Sequence, residues 1–249
     1  MLVKDKGICI YAIDYSETSQ IVTFFTRANG KIRVIAKGSK RTKSAFGGPV
    51  ETLSEGEIVF TDTEGEKLAT LTEFEQRYAL SHLTDNLFCL NCCLFATELV
   101  SALTHEYDPH PGLFDYFLQF LQDIDKQAAK GSRRQEALSL LVLFQISLLR
   151  EIGLQPVLDA CINCKSKYGG TWSQTYFSHS ANGLICRDCE ASFPDRIKLS
   201  KIAADALNNP RLLPAAQEKT LNEIEKVLIY HFRDLIGRPP KMAKHILKT

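Results

Sequence analysis

Nowhere in these 249 residues does an apolar run reach the roughly 20 residues needed to cross a bilayer. The longest stretches are broken by Asn91, Glu98, Gln145 and Arg150, so no membrane partner is expected. The chain has no internal repeat and no low-complexity tract, which sets aside solenoids and compositional linkers. It also lacks a Walker-type phosphate loop, a Gly-x-Ser-x-Gly elbow and a His-Glu-x-x-His pair. A nuclease or hydrolase needs clustered carboxylates or a metal with an open position, so no enzymatic activity is expected. Net charge is nearly absent: 30 Lys and Arg oppose 29 Asp and Glu, a formal +1. Partners must therefore be sought in where the charge lies. No charged-then-apolar leader opens the sequence, and a reducing, cytoplasmic setting is expected, where structural disulfides are rare.

What is present stands out against that background. Cys161-Ile-Asn-Cys164 and Cys186-Arg-Asp-Cys189 are two matched C-x-x-C pairs, separated by the 21 residues 165–185. This spacing lets two tight turns and a hairpin bring Cys161, Cys164, Cys186 and Cys189 onto one tetrahedral zinc ion. Four thiolates fill the shell, so the zinc is expected to be structural. Disulfides or unligated thiols are the alternatives, and His179 lies between the pairs as a further possible ligand. The remaining cysteines are Cys9, Cys89, Cys92 and Cys93. The last three lie in an apolar helical run, where free cysteine packs as a small hydrophobe.

The chain divides into units with different periodicities. Residues 1–78 read as five strands near 7–12, 20–26, 31–36, 57–62 and 68–74, with Asn29-Gly30 as a hairpin turn. Five short strands suggest a closed OB-fold barrel. Helical patterning follows over 85–104, 112–127 and 134–152, with Gly153 placed to end the third helix. A zinc element is expected over 158–193, with a strand at 171–177. Helices near 200–207 and 216–236 then return to the bundle. The expectation is an α+β protein: barrel 1–78, helical domain 79–157, zinc-binding element 158–193 and C-terminal helices 194–249 packed on the helical domain.

Charge is segregated within the barrel. Arg27, Lys31, Arg33, Lys37, Lys40, Arg41 and Lys43 fall within residues 27–50, a span without acids. Eight acids and one lysine then fill 51–75. Residues 37–43 look like a mobile loop whose cations can pair with phosphates, while Ser39 and Thr42 can donate hydrogen bonds. Tyr11, Tyr15, Phe25 and Phe46 are candidate stacking rings for a single strand. The plainer reading is a solvated loop with core phenylalanines. Arg133 and Arg134 open the third helix against its dipole, which either marks a partner bearing acids or is exposed charge. A basic tail closes the sequence: Arg238, Lys241, Lys244, His245 and Lys248.

Three stretches resemble the bacterial DNA repair and recombination mediator family RecO. They are Ala36-Lys37-Gly38-Ser39-Lys40-Arg41 through Phe46-Gly47-Gly48, Leu149 to Pro156 running into Asp159-Ala160-Cys161-Ile162-Asn163-Cys164, and Asn182-Gly183-Leu184-Ile185-Cys186. The order of elements agrees over nearly the whole chain. The resemblance implies binding to single- and double-stranded DNA, annealing of complementary strands, and partnership with RecR and the C-terminal tail of the single-strand-binding protein SSB. It further implies help to RecA in replacing SSB on gapped DNA, and a nucleoid-associated location. An acidic, apolar-ended tail wants a groove with basic neighbours, and the surroundings of Arg133 and Arg150 are one place for it. Here the loop is mainly lysine, where the family is often richer in arginine. An RNA-binding or transcription-associated zinc-ribbon module is the competing reading.

Overall fold

Alternation of inward apolar and outward polar residues over the first 78 positions produces five strands. They are β1 (Leu2–Asp14), β2 (Gln20–Thr26), β3 (Gly30–Ala36), β4 (Glu55–Thr61) and β5 (Ala69–Tyr78). The structure is a computed structural model and describes residues 1–42, 44, 46–61, 68–78, 80–131, 133–170 and 172–247. The strands close into a barrel in the order β1-β2-β3-β5-β4, with β1 also paired to β4 and only β3–β5 parallel. This is the OB-fold arrangement expected of the sequence. The interior is filled by Cys9, Val22, Phe24, Ile32, Val34, Ile58, Phe60, Leu71 and Phe74, among others. β1 is longer than its apolar stretch suggests because Leu2 to Lys6 pair with β4. β5 likewise runs on through charged residues, where Arg77 bridges Glu57 and Glu75.

β2 is covered on both faces. Phe25 points away from the barrel interior and meets Phe114, ring centroids 6.1 Å apart. It belongs to the helical core together with Ile8, Ile10 and Leu53. That core is built by α1 (Leu87–Leu103), α2 (Pro111–Ala129) and α3 (Arg134–Glu151). Asn86 caps α1 by accepting the Cys89 amide. Pro111 opens α2, where its missing N–H costs nothing. α3 is central and touches α1, α2 and the long C-terminal helix, which is why residues 140–144 are apolar on every side. Cys89, Cys92 and Cys93 are buried in this core.

A three-stranded sheet follows: β6 (Thr175–Ser178), β7 (Gly183–Cys186) and β8 (Ile197–Leu199), in the order β7-β6-β8. The expected strand at 171–177 thus starts later, and Thr171 lies outside the described residues. α4 (Lys201–Asn208), α5 (Glu218–Ile236) and α6 (Ala243–Ile246) complete the fold. The basic chain end is tied down through residue 246. Glu98 accepts the backbone amides of Lys241 and Met242 at 2.7 and 2.8 Å, and Ile246 is fully buried. Among the described residues no helix is long and apolar enough to cross a membrane.

The two arginines at the start of α3 are satisfied within the chain. Glu136 accepts the Arg133 amide and pairs with its guanidinium. Arg134 reaches Glu218 at 3.3 Å, bonds the Ile246 carbonyl and lies 4.3 Å over the Phe88 ring. The acids opposing these charges therefore come from α3 and α5, with no external partner required.

Candidate nucleic-acid interface and metal centre

The six described cations of 27–50 do three different things. Arg27 and Lys31 face the helices. Arg27 forms a bidentate pair with Asp115 of α2. Lys31 Nζ donates to the carbonyls of Ser101 and Thr104 at 2.7 Å each, at the end of α1. Burial there lowers the Lys31 pKa. Lys40 pairs with Asp14 at 2.5 Å. Arg33, Lys37 and Arg41 are exposed and form no ion pair among the described residues. Lys43 lies outside the described residues. Glu57 on β4 is neutralised from both sides: Lys4 of β1 pairs with it at 2.6 Å, and Arg77 of β5 joins it.

Residues 38–40, just after β3, are anchored. Ser39 is fully buried, and its Oγ donates to Gln20 Oε1 at 2.9 Å. Gln20 in turn accepts the Val50 amide and donates to the Val50 carbonyl. The Lys40 amide donates to the Thr18 carbonyl. One buried side-chain network thus pins the loop at both ends and turns Lys37 and Arg41 outward. Sequence reading missed this latch; its only signal is a serine set among cations and a glutamine opening an apolar strand. Of the candidate stacking rings, Phe25 is core and Phe46 is half-buried against the barrel interior. Tyr11 and Tyr15 are exposed.

The four cysteines of the two C-x-x-C pairs converge. All four sulfur atoms lie within 4.8 Å of one another, and Cys164 and Cys186 are 3.7 Å apart. Tetrahedral zinc–thiolate bonds of about 2.3 Å place sulfurs roughly 3.8 Å apart. None of the eight cysteines is in a disulfide. The strand pair explains how the site is held. Tyr176 pairs with Ile185 and Phe177 with Leu184. Alternation sends Phe177 and Leu184 into the helical core, and Tyr176 and Ile185 to the cysteines. Around the sulfurs, Asn163 Nδ2 donates to Cys189 and the Cys186 amide donates to Cys161. The Ser166 hydroxyl and amide pull the Cys164 thiol down to about 6, while burial pushes Cys186 up to about 12. A bound cation would overrule both by its own charge. His179 is not in the cluster; its Nδ1 bonds Asp234 and lies 3.4 Å from Asp195, which fastens the hairpin to α5.

The comparisons with known proteins cover the same ground. A family model described as Recombination protein O N terminal matches residues 1–79. One described as Recombination protein O C terminal matches residues 85–244. The DNA repair protein RecO of Bacillus pumilus (strain SAFR-032) is 30% identical over 251 residues, covering 98% of this chain and 93% of that protein. That of Bacillus subtilis (strain 168) is 31% identical over 248 residues, covering 95% and 91%. That of Listeria monocytogenes serotype 4a (strain HCC23) is 33% identical over 186 residues, covering 75% and 68%. With two family models spanning nearly all of it and relatives 30–31% identical over more than nine-tenths of both chains, the chain belongs to the RecO family of DNA repair proteins.

Proposed function

We propose that this chain is a DNA-binding recombination mediator. It binds single- and double-stranded DNA, anneals complementary strands, and with RecR and the SSB tail helps RecA load on SSB-coated gaps, in the cytoplasm at the nucleoid. The observation that carries this reading is the buried latch, which turns Lys37 and Arg41 outward on a closed barrel that also exposes Arg33. Annealing needs no catalytic group. Two strands repel through their phosphates, and a protein that neutralises both lets them meet. Arg33, Lys37, Lys40, Arg41 and Lys43 supply that charge, whereas Arg27 and Lys31 chiefly hold the barrel to the helices. Cys161, Cys164, Cys186 and Cys189 hold one structural zinc, which fixes the 158–193 element between the helical domain 79–157 and the C-terminal helices 194–249.

The test is annealing of complementary oligonucleotides coated with SSB, with and without the protein. Faster pairing that falls steeply with salt is expected. Absence of saturable oligonucleotide binding at low ionic strength overturns the reading.

A further inference from the structure

Pairing of β1, β2 and β3 arranges their outward side chains in rows. Tyr11 pairs with Thr23, and Thr23 with Arg33; one step along, Ile13 pairs with Ile21, and Ile21 with Ile35. The register shift between Cys9 and Tyr11 puts Tyr11 in its row. Cys9 and Ala12 both pack with the barrel interior, so the intervening Ile10 and Tyr11 both lie on the outer side. Ile10 is covered by the helical core. Tyr11 and Tyr15 are not; they are 54% and 62% exposed. Tyr15 sits beside the loop latch, since its amide bonds Ser19, and neighbouring Asp14 holds Lys40. Four residues of extended chain, about 13 Å, therefore carry two uncovered rings away from the cationic loop.

At the far end, Tyr11 lines a groove of ≈ 650 Å³ between the barrel, α1 and the C-terminal segment. Its floor includes Ile10, Leu94 and Met242, and Arg238 and Lys241 form its bank. Both cations are exposed and make no ion pair among the described residues. The one acid in the groove, Glu98, is already engaged by two backbone amides.

We infer that the Tyr15–Tyr11 stripe and this groove form a track for single-stranded polynucleotide, running from the cations Lys37, Lys40 and Arg41 to Arg238 and Lys241. The C-terminal segment then completes a site that the barrel begins. This rests on the DNA-binding reading above. Uncovered rings between two sets of cations suit unpaired bases joined by phosphates, and a duplex has no free base face to offer them. An acidic peptide would match Arg238 and Lys241 but would leave Tyr15 and the Arg33 row unused.

The test compares an oligothymidylate of about 15 nucleotides, within the span of one such barrel, with a duplex of equal length across a salt series. Tyr11→Ala is expected to weaken single-strand binding about tenfold, the effect of losing one stacked base, with little change for duplex and no change in salt slope. Tyr11→Phe should retain binding, and thermal unfolding of both variants should match the parent. Arg238→Ala with Lys241→Ala should reduce the single-strand salt slope by about 1.4. The track is overturned if all these variants bind the oligomer within about twofold of the parent while Lys37→Ala with Arg41→Ala weakens it; the loop reading then stands. It is equally overturned if Tyr11→Ala weakens both nucleic acids alike, or if the groove variants alter only binding of an acidic, apolar-ended peptide. If the parent itself binds no oligonucleotide, the DNA-binding reading falls too.

Discussion

Arg27 and Asp115 face each other through two parallel hydrogen bonds, Nε and Nη2 each 2.9 Å from a carboxylate oxygen. The first cation of the basic run thus fastens the barrel to α2. Lys31 does the same for α1, because its three donors find the carbonyls that a helix end leaves unmet. Position in a basic run is therefore a poor guide to which cations are available to a phosphate.

That difference separates two sets of variants. Lys37→Ala with Arg41→Ala should flatten the dependence of DNA affinity on salt by about one unit per lost phosphate contact, with thermal unfolding unchanged. Lys31→Met should do the reverse. It leaves two helix-end carbonyls without their charged donor, for a loss of about 2 kcal/mol, while the salt slope is kept. Oligonucleotide titrations at several salt concentrations and a thermal melt on the same samples check both.

The β2–β3 turn is fitted to the helices at Gly30. Its φ is +67°, and a Cβ built there would lie 2.3 Å from the Asp108 carbonyl oxygen. The turn itself is braced by Asp5, which accepts from the amides of Ala28 and Asn29 and from the Asn29 side chain. Gly30→Ala combines left-handed strain with a backbone clash, so a loss of about 2–4 kcal/mol is expected. Limited proteolysis near residues 104–110 should accelerate, since the bridge between Lys31 and Glu106 cannot form undistorted. A parent-like melting curve and cleavage rate would show that the turn is not pressed against this loop.

Gly30 also shows what the sequence makes legible. Asn29-Gly30 announces a hairpin through local backbone preference, and five such short strands announce a barrel. The matched C-x-x-C pairs likewise announce one four-cysteine cluster, because ligand spacing is local and stereotyped. Nothing local announces that Asp108 sits against Gly30, that Asp115 holds Arg27, or that Ser39 reaches Gln20. These contacts join residues 19 to 88 positions apart, and charge or polarity alone does not choose among possible partners. Phe25 illustrates the same limit: alternation places it on the outer face of β2, but only the docked helices make that face core.

Metal removal should act on one element. A strong chelator is expected to release one equivalent of zinc and open residues 158–193 to protease, because the small cluster of Cys161, Tyr176, Ile185, Cys186 and Cys189 is too slight to hold two turns without the ion. Phe177 and Leu184, on the opposite face, should remain docked longer, so the barrel and the α1–α3 core keep their protection. Cys164→Ser should bring the same protease sensitivity without chelator. Metal analysis of the purified chain, read beside the digestion pattern, settles it; a metal-free protein with a protected 158–193 segment would remove zinc from the account.

Glu225 sets a pH dependence of stability. It is fully buried on α5, with one oxygen accepting from Gln145 Nε2 at 2.9 Å and the other without a partner among the described residues. Burial raises its pKa from 4.5 to about 7 against the opposing pull of Gln145 and Arg134. The folded chain therefore keeps this proton up to about pH 7, whereas the unfolded chain gives it up near 4.5. The group's contribution is fully present below the lower value, declines as pH rises between the two, and is flat above the upper one. Glu225→Gln removes the ionisation while keeping shape and hydrogen-bonding capacity. It should leave stability near pH 4 almost unchanged and raise it at pH 8 by up to about 3 kcal/mol. Denaturant unfolding at both pH values measures the difference. Equal effects at the two would mean that folding does not raise the Glu225 pKa.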